Sequence, residues 1–153
     1  MGIADLLTLD RVVSDARVSS KKRALELLSG LLADIEPALS ESEIFDGLVA
    51  RERLGSTGLG HGIAIPHGRF KHLTGAYGAV IKLAEPVDFD AVDGEPVGLI
   101  FALVVPEEST DEHLQLLSAL AEMFRDETVR QRLFQTASAD ELIEIFQNRG
   151  LPG

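Results

Sequence analysis

A segment rich in glycine and histidine, "GLGHGIAIPHG" at residues 58–68, holds the residues best suited to chemistry. Its aliphatic residues 63–65 predict a short strand, and Pro66 holds the residue before it in an extended conformation. Gly68 removes side-chain bulk beside His67, so we expect this histidine at a strand end. A neutral imidazole there can bind a backbone carbonyl through one nitrogen and use the other as a nucleophile. The alternative is a histidine that only fills a turn.

His113 is the second histidine of interest, because it lies near the start of a helix predicted to begin after Ser109. It shares a helical face with Leu117, Leu120 and Phe124, so we expect it to point inward or toward a cleft. The helix directly follows the apolar strand "GLIFALVV", and open α/β sheets commonly build their sites at such strand ends. A core histidine satisfied by hydrogen bonds is the commoner reason for such a position.

The glycine-rich segment does not match the known nucleotide-binding loops. Gly55, just before the segment, and Gly60 have P-loop spacing, but His61 and Gly62 stand where Lys and Ser or Thr are required. The spacing of His61, His67 and His72 is not that of paired metal ligands on a helix, and the chain has no cysteine. We therefore predict no metal and no nucleotide cofactor.

The net charge of −11 limits the classes of partner. Binding to the phosphate backbone of nucleic acid depends on Lys and Arg, so we expect no nucleic-acid partner. Strong acidity favours encounter with a basic protein surface. An acidic surface that only maintains solubility is an equally good explanation.

Length and composition predict one domain. With 153 residues, of which 45% are hydrophobic, the chain can build one core, and we expect a single domain over residues 1–153. No apolar run approaches the roughly 20 residues of a membrane-spanning helix, and the N-terminus lacks the pattern of a signal peptide. We therefore expect no membrane insertion and a cytoplasmic location, with which the absence of cysteine is compatible.

Caps and hydrophobic patterns predict the elements that position the histidines. Ser20 precedes a helix through "KKRALELLSGLLADIE" that ends at Pro37, and Ser40 begins a second helix, so the first third is predicted to be helical. "GAYGAVIKLAEPVDFD" and "EPVGLIFALVVPEE" predict strands. Capping patterns at Ser109 and Ser138 return the last third to helix. This order predicts an α/β domain with helices on both faces of a sheet.

Three stretches together resemble a known family: residues 51–68, "FDAVDGEP" and "VVPEESTDEHLQLLSALA". They resemble the mannitol/fructose-type enzyme IIA domain of the bacterial phosphotransferase system, in particular its nitrogen-regulatory, stand-alone branch. The resemblance extends from about Leu6 to Phe146. It implies a three-layer domain in which helices flank a mixed β-sheet on both faces.

The resemblance also implies the central residues of a site. His67 would accept a phosphoryl group from the phosphohistidine of a small histidine-containing phosphocarrier protein. His113 would lie beside it as the second active-site histidine, and Arg51 matches the family arginine near the phosphohistidine. Transfer between two imidazoles needs positioning and positive charge, which fits the absence of a predicted cofactor.

Further residues in and beside the glycine-rich segment complete the site that the resemblance implies. Ser56 and Thr57 match the family's hydroxyl residues before the glycines and, with Gly68, are candidates for binding the phosphoryl group. Local turn hydrogen bonds are an equally good explanation for the two hydroxyls. His61 stands where related loops often carry Asn or another polar residue, and we expect it to be an exposed loop residue.

The resemblance implies a phosphocarrier with a nitrogen or metabolic regulatory role, which acts on regulatory target proteins according to its phosphorylation state. The alternative is a sugar-specific enzyme IIA that passes the phosphoryl group to the IIB domain of a transporter. In both roles the chain would be a phosphotransferase component rather than a conventional turnover enzyme. A metal-dependent hydrolase and an interaction module without chemistry also stay open.

Overall fold

The computed structural model describes residues 2–33, 35, 39–108 and 110–149. Two short 3-10 helices, Ile3–Leu6 and Leu9–Arg11, precede the first strand. The strands are β1 (Val12–Ala16), β2 (Gly58–Gly60), β3 (Ile63–Ala64), β4 (His67–Phe70), β5 (Tyr77–Val87) and β6 (Val97–Pro106). The α-helices are α1 (Lys21–Leu32), α2 (Glu41–Arg53), α3 (Thr110–Arg125), α4 (Glu127–Gln135) and α5 (Ala139–Arg149).

The strands form one mixed sheet organised around β6. On one side β6 pairs antiparallel with β5, which pairs in parallel with β1. On the other side β6 pairs in parallel with both β3 and β4, and β2 pairs antiparallel with β3. β3 and β4 therefore lie end to end along one side of β6, separated by Ile65 and Pro66.

Side chains of β6 alternate between two hydrophobic cores, as the period of a strand requires. Leu99 and Phe101 enter the core shared with α3, α4 and α5, whereas Ile100 and Ala102 enter the core shared with α1 and α2. Every residue of β6 is buried, which is typical of a central strand covered on both faces. The predicted three-layer α/β fold with a mixed sheet is confirmed.

The structure confirms three of the predicted helix caps. The hydroxyls of Ser20, Ser40 and Ser138 each accept a hydrogen bond from a backbone N–H three residues later, at 3.1, 3.1 and 3.2 Å. The predicted cap at Ser109 lies outside the described residues. α1 ends at Leu32, before Pro37, and the chain between them is described only at 33 and 35.

The prediction that the first third is helical was wrong, because β1 lies within it. Val12 pairs with Val80 and Val13 with Ile81 of β5. β1 has only two adjacent apolar residues before Ser14 and Asp15, and so short a pattern does not distinguish strand from helix by its periodicity. Pairing with a strand distant in sequence decides its conformation, and that pairing has no local signal.

Candidate functional site

His67 begins β4, where the chain re-enters the sheet. It pairs with Leu103 of β6, and the N–H of Leu103 donates to the carbonyl of Pro66 at 3.0 Å. β3, before this point, pairs with the same strand. The backbone of the histidine is therefore held against the central strand, at a strand end as the sequence predicts.

Both nitrogens of the His67 imidazole have a partner. Nδ1 lies 2.9 Å from the carbonyl oxygen of Ile65, which can only accept, so Nδ1 carries the proton. Nε2 accepts a hydrogen bond from Nε of Arg51 at 3.3 Å, which requires its lone pair. Both contacts select the same neutral tautomer, in which Nε2 is the unprotonated nitrogen.

The surroundings of His67 favour this neutral form. Burial lowers the pKa of His67 because it penalises the charged imidazolium. The Arg51 cation lowers the pKa further, whereas the Ile65 carbonyl and the Glu52 carboxylate act to raise it. The net result is a pKa below the ordinary value of 6.5, so Nε2 keeps its lone pair at neutral pH.

Arg51 lies in the last turn of α2, and the loop that follows the helix orients its side chain. Nη1 donates to the carbonyl of Gly55 at 2.9 Å while Nε donates to His67. Two acceptors on different elements thus hold the two edges of one planar guanidinium. Arg53, two residues later on the same helix, is exposed and does not line the His67 cavity.

His113 lies in the first turns of α3 and is 8% exposed. Its ring centroid lies 5.3 Å from that of His67, with an angle of 74° between the rings, which is an edge-to-face contact. Nδ1 is buried and has no hydrogen-bond partner within the described part of the chain. Burial lowers the pKa of His113, and the nearby His67 and Arg69 lower it further.

The two histidines and Arg51 open onto one cavity of about 470 Å³. Its lining consists of Gly47, Ala50, Arg51, Leu54, His67, Gly68, Arg69, His113 and Leu114. This lining includes two arginines and two imidazoles, and none of these residues is Asp or Glu. The cavity is therefore suited to an anion, although the chain as a whole is strongly acidic.

Ser56 and Thr57 form hydrogen bonds within the protein and are not part of the cavity lining. The hydroxyl of Ser56 accepts from the N–H of Gly58 at 3.0 Å, which is a local turn hydrogen bond, and donates to the distant carbonyl of Phe89 at 2.6 Å. The hydroxyl of Thr57 donates to the buried carboxylate of Glu52 in α2. Phosphoryl binding by these hydroxyls stays a prediction.

Gly68 lines the cavity and also sets how closely α2 packs on β4. A Cβ at Gly68 would lie 3.0 Å from the ring of Phe70, and one at Gly47 would lie 2.5 Å from the same ring. The aromatic ring therefore fills the space that both glycines leave. This packing brings the last turn of α2, and with it Arg51, to His67.

Sequence reasoning missed several residues around the cavity. Arg69 follows His67 by two positions in β4, so strand periodicity could have placed both on one face. Leu54 and Leu114 line the rim and are 84% and 63% exposed, which no local pattern indicates. Glu52 is 8% exposed although it is adjacent in sequence to Arg51.

The remaining loop histidine, His61, lies apart from this cavity. It is exposed, and its backbone N–H donates to the carboxylate of Asp93 at 2.9 Å. Among the described residues, no group of His, Cys, Asp and Glu is arranged to hold a metal ion. In the same part of the chain, no helix is long and apolar enough to cross a membrane.

Comparison with protein families gives one match that covers almost the whole chain. The family model described as "Phosphoenolpyruvate-dependent sugar phosphotransferase system, EIIA 2" matches residues 5–149. This range includes every residue of the cavity. The match agrees with the resemblance that the sequence motifs carry.

Individual proteins resemble the chain over nearly their full length. A "Nitrogen regulatory protein" from Pseudomonas aeruginosa is 46% identical over 143 residues, which cover 94% of this chain and 93% of that protein. The crystal structure of nitrogen regulatory protein IIA-Ntr from Neisseria meningitidis has a TM-score of 0.90 and 49% identity, and the match covers 94% of this chain and 98% of that one. A "PTS system fructose-specific EIIA component" from Haloferax volcanii is 32% identical and covers 95% of this chain and 97% of that protein.

Proposed function

The chain belongs to the EIIA 2 family of the phosphoenolpyruvate-dependent sugar phosphotransferase system, and from this we propose that it is a phosphocarrier whose His67 accepts a phosphoryl group. The donor is the phosphohistidine of a histidine-containing phosphocarrier protein. The observation that carries the proposal is the fixed tautomer of His67. Nδ1–H points to the Ile65 carbonyl, so Nε2 has a lone pair for the phosphorus atom.

The transfer balances without a cofactor. As the bond from Nε2 to phosphorus forms, the phosphorus–nitrogen bond of the donor histidine breaks, and the donor nitrogen recovers its lone pair. His67 keeps the proton on Nδ1 throughout, because the Ile65 carbonyl continues to accept it. No base needs to remove a proton from His67 before attack, because its low pKa already keeps it neutral.

Positive charge around Nε2 suits the phosphoryl group in transit. Phosphoryl transfer passes through a loose transition state whose charge is spread over the equatorial oxygens, so catalysis depends on positioning and electrostatics. Arg51 already donates to Nε2, and Arg69 lines the same cavity. His113 adds an imidazole within edge-to-face contact of His67. Arg51 would exchange its hydrogen bond to Nε2 for one to a phosphoryl oxygen.

The rim of the cavity supports a protein donor rather than a free metabolite. Leu54 and Leu114 are large apolar side chains that line the His67 cavity and are 84% and 63% exposed. Exposed apolar residues around a reactive group are typical of a docking surface. A carrier protein could cover both leucines as it brings its phosphohistidine to Nε2.

We propose, as the first candidate function, a regulatory role in which the chain acts on target proteins according to whether it is phosphorylated. The support is the relative from Pseudomonas aeruginosa, which is named a nitrogen regulatory protein and aligns over nearly its full length. The second candidate is transfer onward to the IIB domain of a sugar transporter. The fructose-specific EIIA relative favours it, at lower identity.

Incubation with a phosphorylated histidine-containing carrier tests the proposal. We expect one acid-labile phosphoryl group per chain, and phosphorus and nitrogen NMR should locate it on Nε2 of His67. A chain that gains no phosphoryl group, or gains it on Nδ1 or another residue, would overturn the assignment. Adding a purified IIB domain then separates the two roles, because only the transport component should lose its phosphoryl group to that domain.

A further inference from the structure

Glu52 is a buried carboxylate beside the proposed site that the proposed chemistry does not use. Its side chain is 4% exposed, and it does not line the His67 cavity. One oxygen accepts from the backbone N–H of Thr57 at 3.1 Å and pairs with Nζ of Lys21 at 3.0 Å. The other oxygen accepts from the hydroxyl of Thr57. Both oxygens are therefore occupied, as a buried charge requires.

These contacts hold the loop of residues 54–57, which joins α2 to β2. The carbonyl of Gly55 lies in this loop and accepts the hydrogen bond from Nη1 of Arg51 at 2.9 Å. The loop is anchored a second time by Phe89, whose carbonyl accepts from the hydroxyl of Ser56 at 2.6 Å. Movement of Thr57 would therefore move the carbonyl that orients Arg51.

The end of α2 holds only the first half of the loop by backbone hydrogen bonds. The N–H groups of Leu54 and Gly55 return to carbonyls of the last turn of α2, at 3.1 Å each. The backbone of Gly55 itself adopts a φ of 152°, which only glycine adopts without strain. The side chain of Glu52 ties Thr57, at the far end of this turn, back to α2 through the N–H and the hydroxyl of Thr57.

We propose that Glu52 is a positioning residue for phosphoryl transfer, which holds the loop of residues 54–57 so that Gly55 orients Arg51 toward Nε2 of His67. The proposal rests on the proposed function of His67 and adds a residue to its machinery. Glu52 acts through Arg51 and touches neither the phosphoryl group nor His67. Its partner Lys21 comes from α1, so the N-terminal helix contributes to the geometry of the site.

A double-mutant cycle tests this route. Glu52→Gln keeps the shape of the side chain but removes its charge, and we expect transfer to His67 to slow roughly tenfold or more as Arg51 loses its orientation. In an Arg51→Gln background the same change should add little, because the residue through which Glu52 acts is already gone. Asp46→Asn, at an exposed carboxylate on the same helix, is the matched control and should transfer at the unaltered rate.

A second readout does not depend on phosphoryl transfer. The nitrogen NMR signal of Nε2 in unphosphorylated protein reports its hydrogen bond from Arg51. We expect Glu52→Gln to move this signal toward its position in Arg51→Gln, and Asp46→Asn to leave it in place. If the protein accepts no phosphoryl group at all, the proposed function fails, and this signal still decides whether Glu52 positions Arg51.

Two outcomes would overturn the proposal. One is an unchanged Nε2 signal in folded Glu52→Gln, and the other is a loss of rate that is equally large with and without Arg51. If Glu52→Gln does not fold, Thr57→Val replaces it, because this change keeps the carboxylate and its ion pair but removes the hydroxyl donor. Thr57→Val should shift the Nε2 signal in the same direction by a smaller amount, and no shift would contradict the role.

Discussion

His61 and His67 belong to the same glycine-rich segment, yet the structure gives them opposite surroundings. His67 starts a strand that pairs with the central strand β6, and its ring is engaged by Ile65 and Arg51. His61 lies in a turn with a φ of 57°, and its backbone N–H donates a hydrogen bond to the carboxylate of Asp93. The ring of His67 contacts a second imidazole, whereas the side chain of His61 is exposed.

The difference teaches what converts a histidine into a candidate nucleophile. Residue type and neighbouring glycines are common to both positions. Only His67 has one nitrogen restrained by a carbonyl, a cation at the other nitrogen, and a pKa lowered by burial. These features come from strand register and from α2 packing on β4 through Gly47 and Gly68. Position relative to the sheet therefore separates the two histidines.

The largest effect on phosphoryl acceptance is expected from removing the imidazole of His67, with removal of the imidazole of His61 as the comparison. His67→Ala should abolish phosphoryl acceptance, because no other described nitrogen has the same restrained lone pair. His61→Ala should transfer at a rate within about twofold of the unaltered protein, as surface changes usually do. Phosphoryl incorporation from a phosphorylated carrier, measured against time for both variants, checks this. Equal loss in both would remove the distinction between the two histidines.

The next largest effect is expected at Arg51. Arg51→Gln removes the cation that donates to Nε2, and loss of one such donor to developing charge costs roughly 100- to 1,000-fold in rate. Arg53→Gln is the matched control, because Arg53 is exposed on the same helix and lies outside the cavity. Single-turnover transfer rates, with folding verified by circular dichroism, compare the two.

A second substitution at Arg51 separates the contribution of charge from that of geometry. If transfer in Arg51→Lys is as slow as in Arg51→Gln, the forked guanidinium that bridges Gly55 and Nε2 is required. Faster transfer in Arg51→Lys would mean that charge alone contributes most. Equal rates in Arg51→Gln and Arg53→Gln would exclude Arg51 from the site.

The sequence predicted those parts of the fold that have local signals. Helix caps at Ser20, Ser40 and Ser138 depend on residues three positions apart, and all three are confirmed. The continuous apolar run of β6 likewise identified the central strand. β1 and β4 are short and acquire their conformation by pairing with distant strands, so their own residues do not specify it.

The same division holds for the candidate site. Motif reasoning led to His67, His113 and Arg51, and the structure brings all three to one cavity. It did not find Glu52, because the ion pair joins the first residue of α1, Lys21, to the last turn of α2, and no local pattern indicates that these two ends meet. From the sequence alone, a glutamate next to an arginine on a helix is expected to be an exposed charge. Only the tertiary packing shows that Arg51 faces His67 and that Glu52 faces the loop of residues 54–57.

Lowering the pH is expected to have a smaller effect on the rate of phosphoryl acceptance. Burial penalises the imidazolium and holds the pKa of His67 below its ordinary value of 6.5, so the neutral nucleophile predominates at neutral pH. Phosphoryl acceptance should therefore decline as pH falls, with the midpoint of the decline below 6.5. Arg51→Gln removes a cation that lowers this pKa, so the midpoint of the decline should move to higher pH.

Rate against pH, normalised to each variant's own maximum, checks this prediction. Every variant receives the same phosphorylated carrier under single-turnover conditions, so the carrier's own titration is common to all of them and does not contribute to the difference between their midpoints. His61→Ala serves as the control, because it should leave the midpoint where it is in the unaltered protein. A midpoint at or above the ordinary histidine value in the unaltered protein would contradict the burial argument.

The smallest effect is expected at the backbone of His61, where stability should change and phosphoryl acceptance should not. Its φ of 57° is tolerated by Asn but strained for a β-branched residue. His61→Val should therefore lower the free energy of unfolding by about 1–2 kcal/mol, and His61→Asn by only a few tenths. Urea unfolding of both variants measures the difference. Both substituted residues keep the backbone N–H that donates to Asp93, so the comparison isolates the strain of the positive φ. Equal stabilities would show that the turn relaxes to a negative φ, and a slowed transfer in either folded variant would mean that this turn does influence His67.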